Sequence, residues 1–202
     1  YGSPSATILS NEIRVRAGSS DWPSRGIYLS GIDSNVTIRD NVIEGLGDYT
    51  TGICAYSSND FTVENNTIRN LRTGIWLDSS SNWLFVDNNL TGNKFNLGFR
   101  GSEVSHYIHT FTGNIINGKP ICYYVNAENV VVPSDAGFIG IVNSDGVQAE
   151  GFTISKNYQG ILVVNSTNVS LEGYVYNCYE GLEVKWSSGV VFRGEIYKDT
   201  SP

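Results

Sequence analysis

Apolar and polar residues alternate in short runs along almost the whole chain, and these runs return at a nearly constant interval. One run opens at Gly52-Ile53, and its counterpart opens 22 residues later at Gly74-Ile75. The same signal recurs at Gly26, Gly98, Gly137, Gly160 and Gly181, with gaps of 21–26 residues and a single gap of 39. A period of this length predicts a repeat architecture.

Each repeat carries three short runs with an apolar-polar-apolar order. In the second repeat the later two are Phe61-Thr62-Val63 and Asn66-Thr67-Ile68. A period of two puts alternate side chains on opposite faces of a strand, and Gly, Asn, Asp and Ser between the runs suit sharp corners. Three strands in 21–26 residues predict an all-β fold, a right-handed parallel β-helix of about eight coils, forming one domain over residues 1–202.

Asparagine recurs at one corner of successive predicted coils, at Asn41, Asn66 and Asn89. We expect these side chains to stack into a hydrogen-bonded ladder. One coil buries too little apolar surface to offset its ordering entropy, so each coil depends on its neighbours. We find no capping helix before the first coil or after the last, which predicts unsealed ends.

The gap of 39 residues contains the one departure from the pattern. Asn117-Gly118 predicts a two-residue hairpin turn. We expect Ile115-Ile116 to pair with residues 121–125, in an inserted hairpin arm near 106–129 that lies over a lateral face of the β-helix.

The strands that begin at Gly-Ile have large apolar side chains at outward positions. Such residues do not all face water, so something covers part of this sheet. Either the chain's own hairpin or loops cover it, or a partner subunit or a sugar does, the sugar stacking on the aromatic residues. The predicted outward positions are Tyr28, Cys54, Trp76, Arg100, Ile139, Leu162 and Glu183, with Val164 following. The candidate carbohydrate- or partner-binding residues are Tyr28, Tyr56, Trp76, Ile139, Leu162 and Val164.

Charge and composition exclude several classes of function. The 202 residues have a formal charge of −7, and the 13 basic residues are scattered, which argues against nucleic-acid binding. No apolar run approaches the roughly 18 residues that cross a bilayer. The chain begins with Tyr1 and contains no Met, which predicts a processed product or a fragment. Five Asn-x-Ser/Thr sequences favour an exported glycoprotein at the cell surface; they begin at Asn35, Asn65, Asn89, Asn165 and Asn168.

No cluster of reactive residues stands out. Cys54, Cys122 and Cys178 lack metal-ligand spacing, and their odd number leaves at least one thiol free or intermolecular; Cys54 and Cys178 are either unpaired coil residues or a disulfide. The outward acids Asp78 and Glu183 lie about five coils apart at roughly 4.8 Å per coil, too far for glycosidase chemistry.

His106 and His109 are three residues apart, which on a strand places them on opposite faces. The ordinary interpretation is a histidine hydrogen-bonded at the base of the hairpin. We therefore predict neither a metal site nor a cofactor.

The coils and the segment from Ser105 to Asn126, which includes His106-Tyr107-Ile108-His109 and Asn117-Gly118-Lys119-Pro120-Ile121, resemble the NosD-like right-handed β-helix family. That family is also called the carbohydrate-binding and sugar-hydrolysis β-helices, and the likeness is to its archaeal cell-surface type. The resemblance covers nearly the whole chain and implies the fold, whereas it does not specify an activity.

Three hypotheses for the function follow. The first is a non-catalytic, glycosylated subunit of a surface layer, sheath or filament, which associates with itself or with other surface proteins through its coil ends and an apolar lateral patch. The second is a carbohydrate-binding module that uses Tyr28, Tyr56 and Trp76. The third is a polysaccharide hydrolase or lyase with a site at the hairpin.

Overall fold

The chain folds as a parallel β-helix of about eight coils, as the repeat predicts. The structure is a computed structural model and describes residues 5–198. The predicted chain ends at Tyr1 and Pro202 lie outside the described residues. Within them, the regular structure is almost entirely β-strand.

The first stack of coils has four coils of three strands and a fifth of two. Strands at the same place in successive coils pair in parallel and form three ladders. Pairs in register such as Ile53 with Ile75 account for the 22-residue period. The strands are β1 (Ala6–Leu9), β2 (Glu12–Val15), β3 (Ser24–Ser30), β4 (Asp33–Arg39), β5 (Val42–Gly45), β6 (Thr50–Tyr56), β7 (Asn59–Glu64), β8 (Thr67–Arg69), β9 (Thr73–Asp78), β10 (Leu84–Val86), β11 (Asn89–Thr91), β12 (Phe95–Arg100), β13 (Thr110–Thr112) and β14 (Ile115–Ile116), with a 3-10 helix (Val104–Tyr107) before β13.

The second stack has four coils, each with two strands. Its first strands, β15, β17, β19 and β21, form one parallel ladder, and its second strands form another. The strands are β15 (Lys119–Val125), β16 (Val131–Val132), β17 (Phe138–Val142), β18 (Gln148–Ser155), β19 (Gln159–Val164), β20 (Ser170–Tyr176), β21 (Glu180–Lys185) and β22 (Val191–Tyr197).

A hairpin reverses the strand direction between the two stacks. Asn117 and Gly118 both have positive φ, 49° and 81°, so the predicted turn is present and is of the mirror-image type that suits hairpins. However, Ile116 pairs with Lys119, and β15 is not an arm over a lateral face. It is the first strand of the second stack and pairs in parallel with β17, because its apolar residues need cover on both faces.

The reversal gives the molecule two cores, which meet at the ladder of β15, β17, β19 and β21. Ile139, Ile141 and Ile161 face the second core, together with Phe152 and Leu171 from the opposite ladder. The alternating residues face the first core, so β17 and β19 are buried on both faces. These alternating residues are Phe138, Val142, Leu162 and Val164.

The corners follow the residue chemistry that the sequence predicts. Of the 19 non-glycine residues with positive φ between residues 5 and 198, 16 are Asn, Asp or Ser, and Asn and Asp tolerate the left-handed region well. A buried ladder joins Asn41 to Asn66 with a 3.0 Å amide bond and Asn66 to Asn88 at 2.9 Å, then continues to Asn114. The predicted member Asn89 is wrong by one residue, because Asn88 turns inward at the corner and Asn89 starts β11.

Candidate functional site

The candidate site lies on the outer face of β3, β6, β9 and β12. Parallel pairing aligns Tyr28, Cys54 and Trp76 in one column across the strands. A second column runs from Tyr56 through Asp78 to Arg100. Because coils repeat about every 4.8 Å, side chains in a column are close neighbours.

Aromatic rings cover much of this face. The rings of Tyr28 and Tyr56 meet edge to face with centroids 5.9 Å apart. The Trp76 ring packs on Tyr158, from the loop before β19, at 4.6 Å. Gly98 makes this contact possible, since a Cβ there would lie 2.6 Å from the Tyr158 Cβ and 2.8 Å from the Trp76 ring. The second stack therefore supplies one wall of the site.

Arginines stand over these rings. The Arg25 guanidinium lies 4.6 Å from the Tyr28 ring centroid, and that of Arg100 lies 5.9 Å from Trp76. A third arginine, Arg72, lies 4.7 Å from the Tyr49 ring. Such cation–π pairs hold flat side chains in place while their donors stay available to a ligand.

The Asp78 carboxylate neutralises the charge of Arg100 at one end of this face. Arg100 donates two hydrogen bonds to Asp78, one of them from Nε at 2.8 Å, and these bonds raise the pKa of Arg100. Burial raises the pKa of the Cys54 thiol at the centre of the face. Cys54 is therefore a neutral thiol near neutral pH, and it is not activated as a nucleophile.

Several of these residues line a groove of about 250 Å³, and Tyr28 lies at its edge, in contact with Tyr56. The groove combines aromatic walls with a few convergent polar groups, as ligand sites in proteins commonly do. Its principal lining residues are Arg25, Tyr49, Tyr56, Arg72, Trp76 and Tyr158.

The structure brings together three of the six predicted binding residues. Tyr28, Tyr56 and Trp76 share the groove face, as the sequence predicts. Ile139, Leu162 and Val164 are fully buried and do not form a surface patch, which corrects the prediction. Ile139 pairs with Ile161 and not with Leu162, so it faces the second core; the predicted alignment of this coil is off by one residue, which exchanges the faces of a strand.

The expectation that the chain covers its own sheet is confirmed in part. Leu162 and Val164 pack against the last coils of the first stack, and Tyr158 covers Trp76. Tyr28 remains half exposed. Arg100, predicted to continue the Trp76 column, lies in the Asp78 column, because Gly98 pairs with Trp76.

Sequence reasoning missed Arg25, Arg72 and Tyr158. Arg25 and Arg72 directly precede the recurring Gly or stand two residues before it, a signal that the repeat alignment contains. Tyr158 has no local signal, because it reaches Trp76 only through the reversal of the second stack.

Comparison with known proteins identifies a family. The family described as "Periplasmic copper-binding protein (NosD)" matches residues 3–131. The chain belongs to this family. The match spans the first stack and the hairpin, and the NosD assignment makes the chain a periplasmic or extracellular β-helix protein. No curated protein and no solved structure gives a significant match.

The copper-binding name of the NosD family does not fit the donor residues of this chain. His109 uses Nδ1 to accept from the Trp83 backbone N–H at 3.3 Å, and Nε2 contacts the His106 carbonyl at 3.1 Å. The three cysteines are buried and free. Across residues 5–198 no three His, Cys, Asp or Glu side chains come close enough to hold a metal ion. The donor residues of this chain therefore do not support copper chemistry.

Four of the five predicted glycosylation sites are exposed to solvent. Asn35, Asn65, Asn165 and Asn168 are exposed, whereas Asn89 is half-buried on β11. Within residues 5–198 the structure contains no helix of the length and apolarity needed to span a membrane.

Proposed function

We propose that this NosD-family chain is a non-catalytic β-helix of the periplasm or cell exterior that binds a polysaccharide along the groove of Tyr28, Tyr56 and Trp76. One observation carries the proposal: arginines stand over aromatic rings along a single open groove, Arg25 over Tyr56 and Arg72 over Tyr49. Aromatic faces suit the apolar face of a sugar ring, and guanidinium donors suit its hydroxyl or acidic groups.

The acids near the groove favour binding over hydrolysis. Asp78 is held by Arg100, and Glu183 accepts from Lys185 at 2.6 Å and from Gln159 at 2.8 Å. Carboxylates tied into ion pairs serve poorly as proton donors or nucleophiles, because both roles need a free carboxyl at the glycosidic bond. A non-catalytic role follows.

Titration calorimetry and a polysaccharide panel test the proposal. We expect Trp76→Ala and Tyr28→Ala each to weaken binding about tenfold, the usual loss when a buried aromatic contact of more than 1 kcal/mol is removed. Tyr174→Ala is the matched control, since Tyr174 is as exposed as Tyr28, 52% against 51%, but lies on β20. Absence of binding across the panel, or equal losses in control and groove variants, would refute it.

A second candidate is self-association through the last described coil. Trp186, Val191 and Ile196 are all between 43% and 53% exposed there, which is unusual for apolar side chains of one coil. Assembly into a layer or filament would cover them and add strands beside β22, the outermost strand of its ladder among residues 5–198. Sedimentation and electron microscopy test this: wild-type protein should associate and Ile196→Lys should not, while a wild-type chain that stays monomeric at high concentration rules it out.

Glycosylation is the third part of the proposal. Asn65 and Asn165 sit at exposed corners and donate from Nδ2 to Asp40 at 2.6 Å and to Asn143 at 2.9 Å. A glycosylated amide keeps one N–H, so a glycan is compatible with these bonds. Mass spectrometry of protein from its native source should find sugar at the exposed sites in preference to Asn89. An unmodified protein would contradict this part of the proposal.

A further inference from the structure

The reversal of strand direction creates a second and larger cleft, where corners of the two stacks meet. Phe95 pairs with Thr73, so the residues before them, Lys94 and Arg72, occupy equivalent corner positions on adjacent coils. In the second stack Ser155 pairs with Tyr176, which places Lys156 in a corresponding corner column.

That second column continues to Lys198. Tyr176 pairs with Tyr197, so Lys156, Asn177 and Lys198 follow one another on successive coils. The two columns are joined by the backbone, because the Asn96 N–H donates to the Lys156 carbonyl at 2.8 Å. The cleft between them has a volume of about 530 Å³.

The charges lining this cleft are almost all positive. Arg72, Lys94, Lys156 and Lys198 line it, and Asp48 is the one acid among its lining residues. These are four of the 13 basic residues in a chain whose formal charge is −7. The concentration of positive charge is therefore opposite in sign to the protein as a whole.

These four cations form no salt bridge with an acid among residues 5–198, whereas five other basic side chains of that part of the chain do. Arg39, Arg69 and Arg100 each form a salt bridge with an Asp or Glu. Like charges at equivalent positions of adjacent strands, about 4.8 Å apart, repel each other. A bound anion relieves that repulsion.

Aromatic rings connect the cleft to the groove of Tyr28, Tyr56 and Trp76. Tyr158 lines the groove and packs against Trp76 at 4.6 Å, and its ring also meets that of Phe95, which lines the cleft, at 6.1 Å. Lys94 lies 5.9 Å from the Phe95 ring and Lys198 lies 5.5 Å from the Tyr179 ring. Arg72 lines both the groove and the cleft.

We infer that the polysaccharide carries negative charges, as carboxylates or sulfate esters, and that Arg72, Lys94, Lys156 and Lys198 bind them in this cleft. The inference rests on the proposed function and names its substrate class. A linear acidic polymer that stacks on Trp76 and Tyr158 continues past Arg72 into the cleft. Duplex DNA is the alternative polyanion, and the test includes it.

Two pairs of matched polymers test the inference: dextran sulfate against dextran, and polygalacturonate against its methyl ester. Binding is measured by interferometry at low and high salt. We expect the wild-type protein to bind at least one charged polymer about tenfold or more tightly than its neutral partner. We expect Lys94→Gln/Lys156→Gln to lose that preference and to reduce the slope of log affinity against log salt by up to about two.

The control is Arg16→Gln/Arg193→Gln, which also removes two exposed cations, both outside the cleft. It should keep the preference. The inference is overturned if charged and neutral polymers bind equally, if both double variants lose the same affinity, or if duplex DNA binds through the cleft more tightly than either acidic polymer.

Trp76→Ala separates this inference from the proposed function. Neutral binding that depends on Trp76, without preference for charge, keeps the function and refutes the acidic substrate. Charged binding that depends on Lys94 and Lys156 but not on Trp76 keeps the anion cleft and refutes the groove. No binding to any of the polymers counts against both.

Discussion

Two ladders of this molecule begin their strands near a recurring glycine, yet their outer faces differ completely. In β6 and β9 the outer positions carry Tyr56 and Trp76 and line an open groove. In β17 and β19 they carry Val142, Leu162 and Val164 and are fully buried against the first stack. The same repeat therefore builds an open groove in one stack and a buried interface in the other.

The difference is visible in the order of residues. On the groove side, β6 and β9 carry side chains with a polar atom at outward positions, Tyr56 in β6 and Trp76 and Asp78 in β9. β19 contains the uninterrupted run Ile161 to Val164, which is typical of strands that are buried on both faces. A strand of this β-helix whose outward positions lack any polar side-chain atom, such as Leu162 and Val164 of β19, is thus covered by another part of the structure.

The largest expected effect is on the buried face. Leu162→Ala leaves a cavity between the stacks and should lower the free energy of unfolding by about 2–5 kcal/mol. Tyr28→Ala, on the open face, should lower it by about 1 kcal/mol or less, because surface changes rarely cost more. Urea unfolding followed by circular dichroism measures both. Similar losses would mean that the two faces are equally covered in solution.

The pH dependence of stability tests the packing between the two stacks, because it depends on His109. This side chain is buried in the last coil of the first stack, its ring stacks on Phe99 at 5.4 Å, and burial lowers its pKa from 6.5 to about 3. Below pH 6.5 the unfolded chain takes up a proton that the folded chain does not. Stability therefore falls as the pH drops from 6.5 towards 3, by about 3 kcal/mol between pH 7 and pH 4.

His109→Gln removes this titration and keeps an oxygen that accepts from the Trp83 N–H. We expect it to flatten the dependence of unfolding free energy on pH between 7 and 4. His106→Gln, three residues away on the half-buried side of the same segment, should retain the wild-type slope. An unchanged slope in His109→Gln would show that His109 is not the group responsible.

The sequence predicts the coils, the Asn117-Gly118 turn and half of the predicted binding residues, because each of these depends on local spacing. It does not predict the reversal. The Gly signal continues past the hairpin at the same interval, and a repeat of period two is identical in either strand direction. Arg72 and Tyr158, 86 residues apart, meet on one groove only because of that reversal, so no local pattern could place them together.

The corner ladders provide a comparison of intermediate size. Asn66 accepts from the Asn41 backbone N–H at 3.0 Å and donates to the Ile38 carbonyl and to Asn88, both at 2.9 Å. A different corner ladder, built from serines, occurs in the second stack, where Ser166 accepts from the Ser144 N–H at 3.0 Å and donates to the Val164 carbonyl at 2.8 Å.

Asn66→Ala should therefore cost about 3 kcal/mol of unfolding free energy and Ser166→Ala about 1–2 kcal/mol, since each buried group left unpaired costs roughly 1–3 kcal/mol. Asn65→Ala, at the exposed neighbouring corner, is the control and should cost well under 1 kcal/mol. Chemical denaturation gives all three values. If Ser166→Ala costs as much as Asn66→Ala, the number of ladder bonds does not set corner stability.

The smallest expected effect comes from one hydrogen bond that crosses between the stacks. The Tyr123 hydroxyl donates to the Tyr107 carbonyl at 2.6 Å, and burial raises the pKa of Tyr123 well above its ordinary value, so the phenol stays a donor. Tyr123→Phe should lower the free energy of unfolding by about 1 kcal/mol. Tyr174→Phe, on an exposed tyrosine of β20, should leave it unchanged.

The shape of the denaturant-induced unfolding curve of Tyr123→Phe is as informative as its midpoint. A lower midpoint with an unchanged denaturant slope means that both stacks unfold as one cooperative body, because the slope follows the surface exposed on unfolding. A smaller slope or two separate transitions would mean that the shared ladder couples the stacks only weakly. In that case the buried outer face of β17 and β19 would serve as a docking surface between two separately stable stacks.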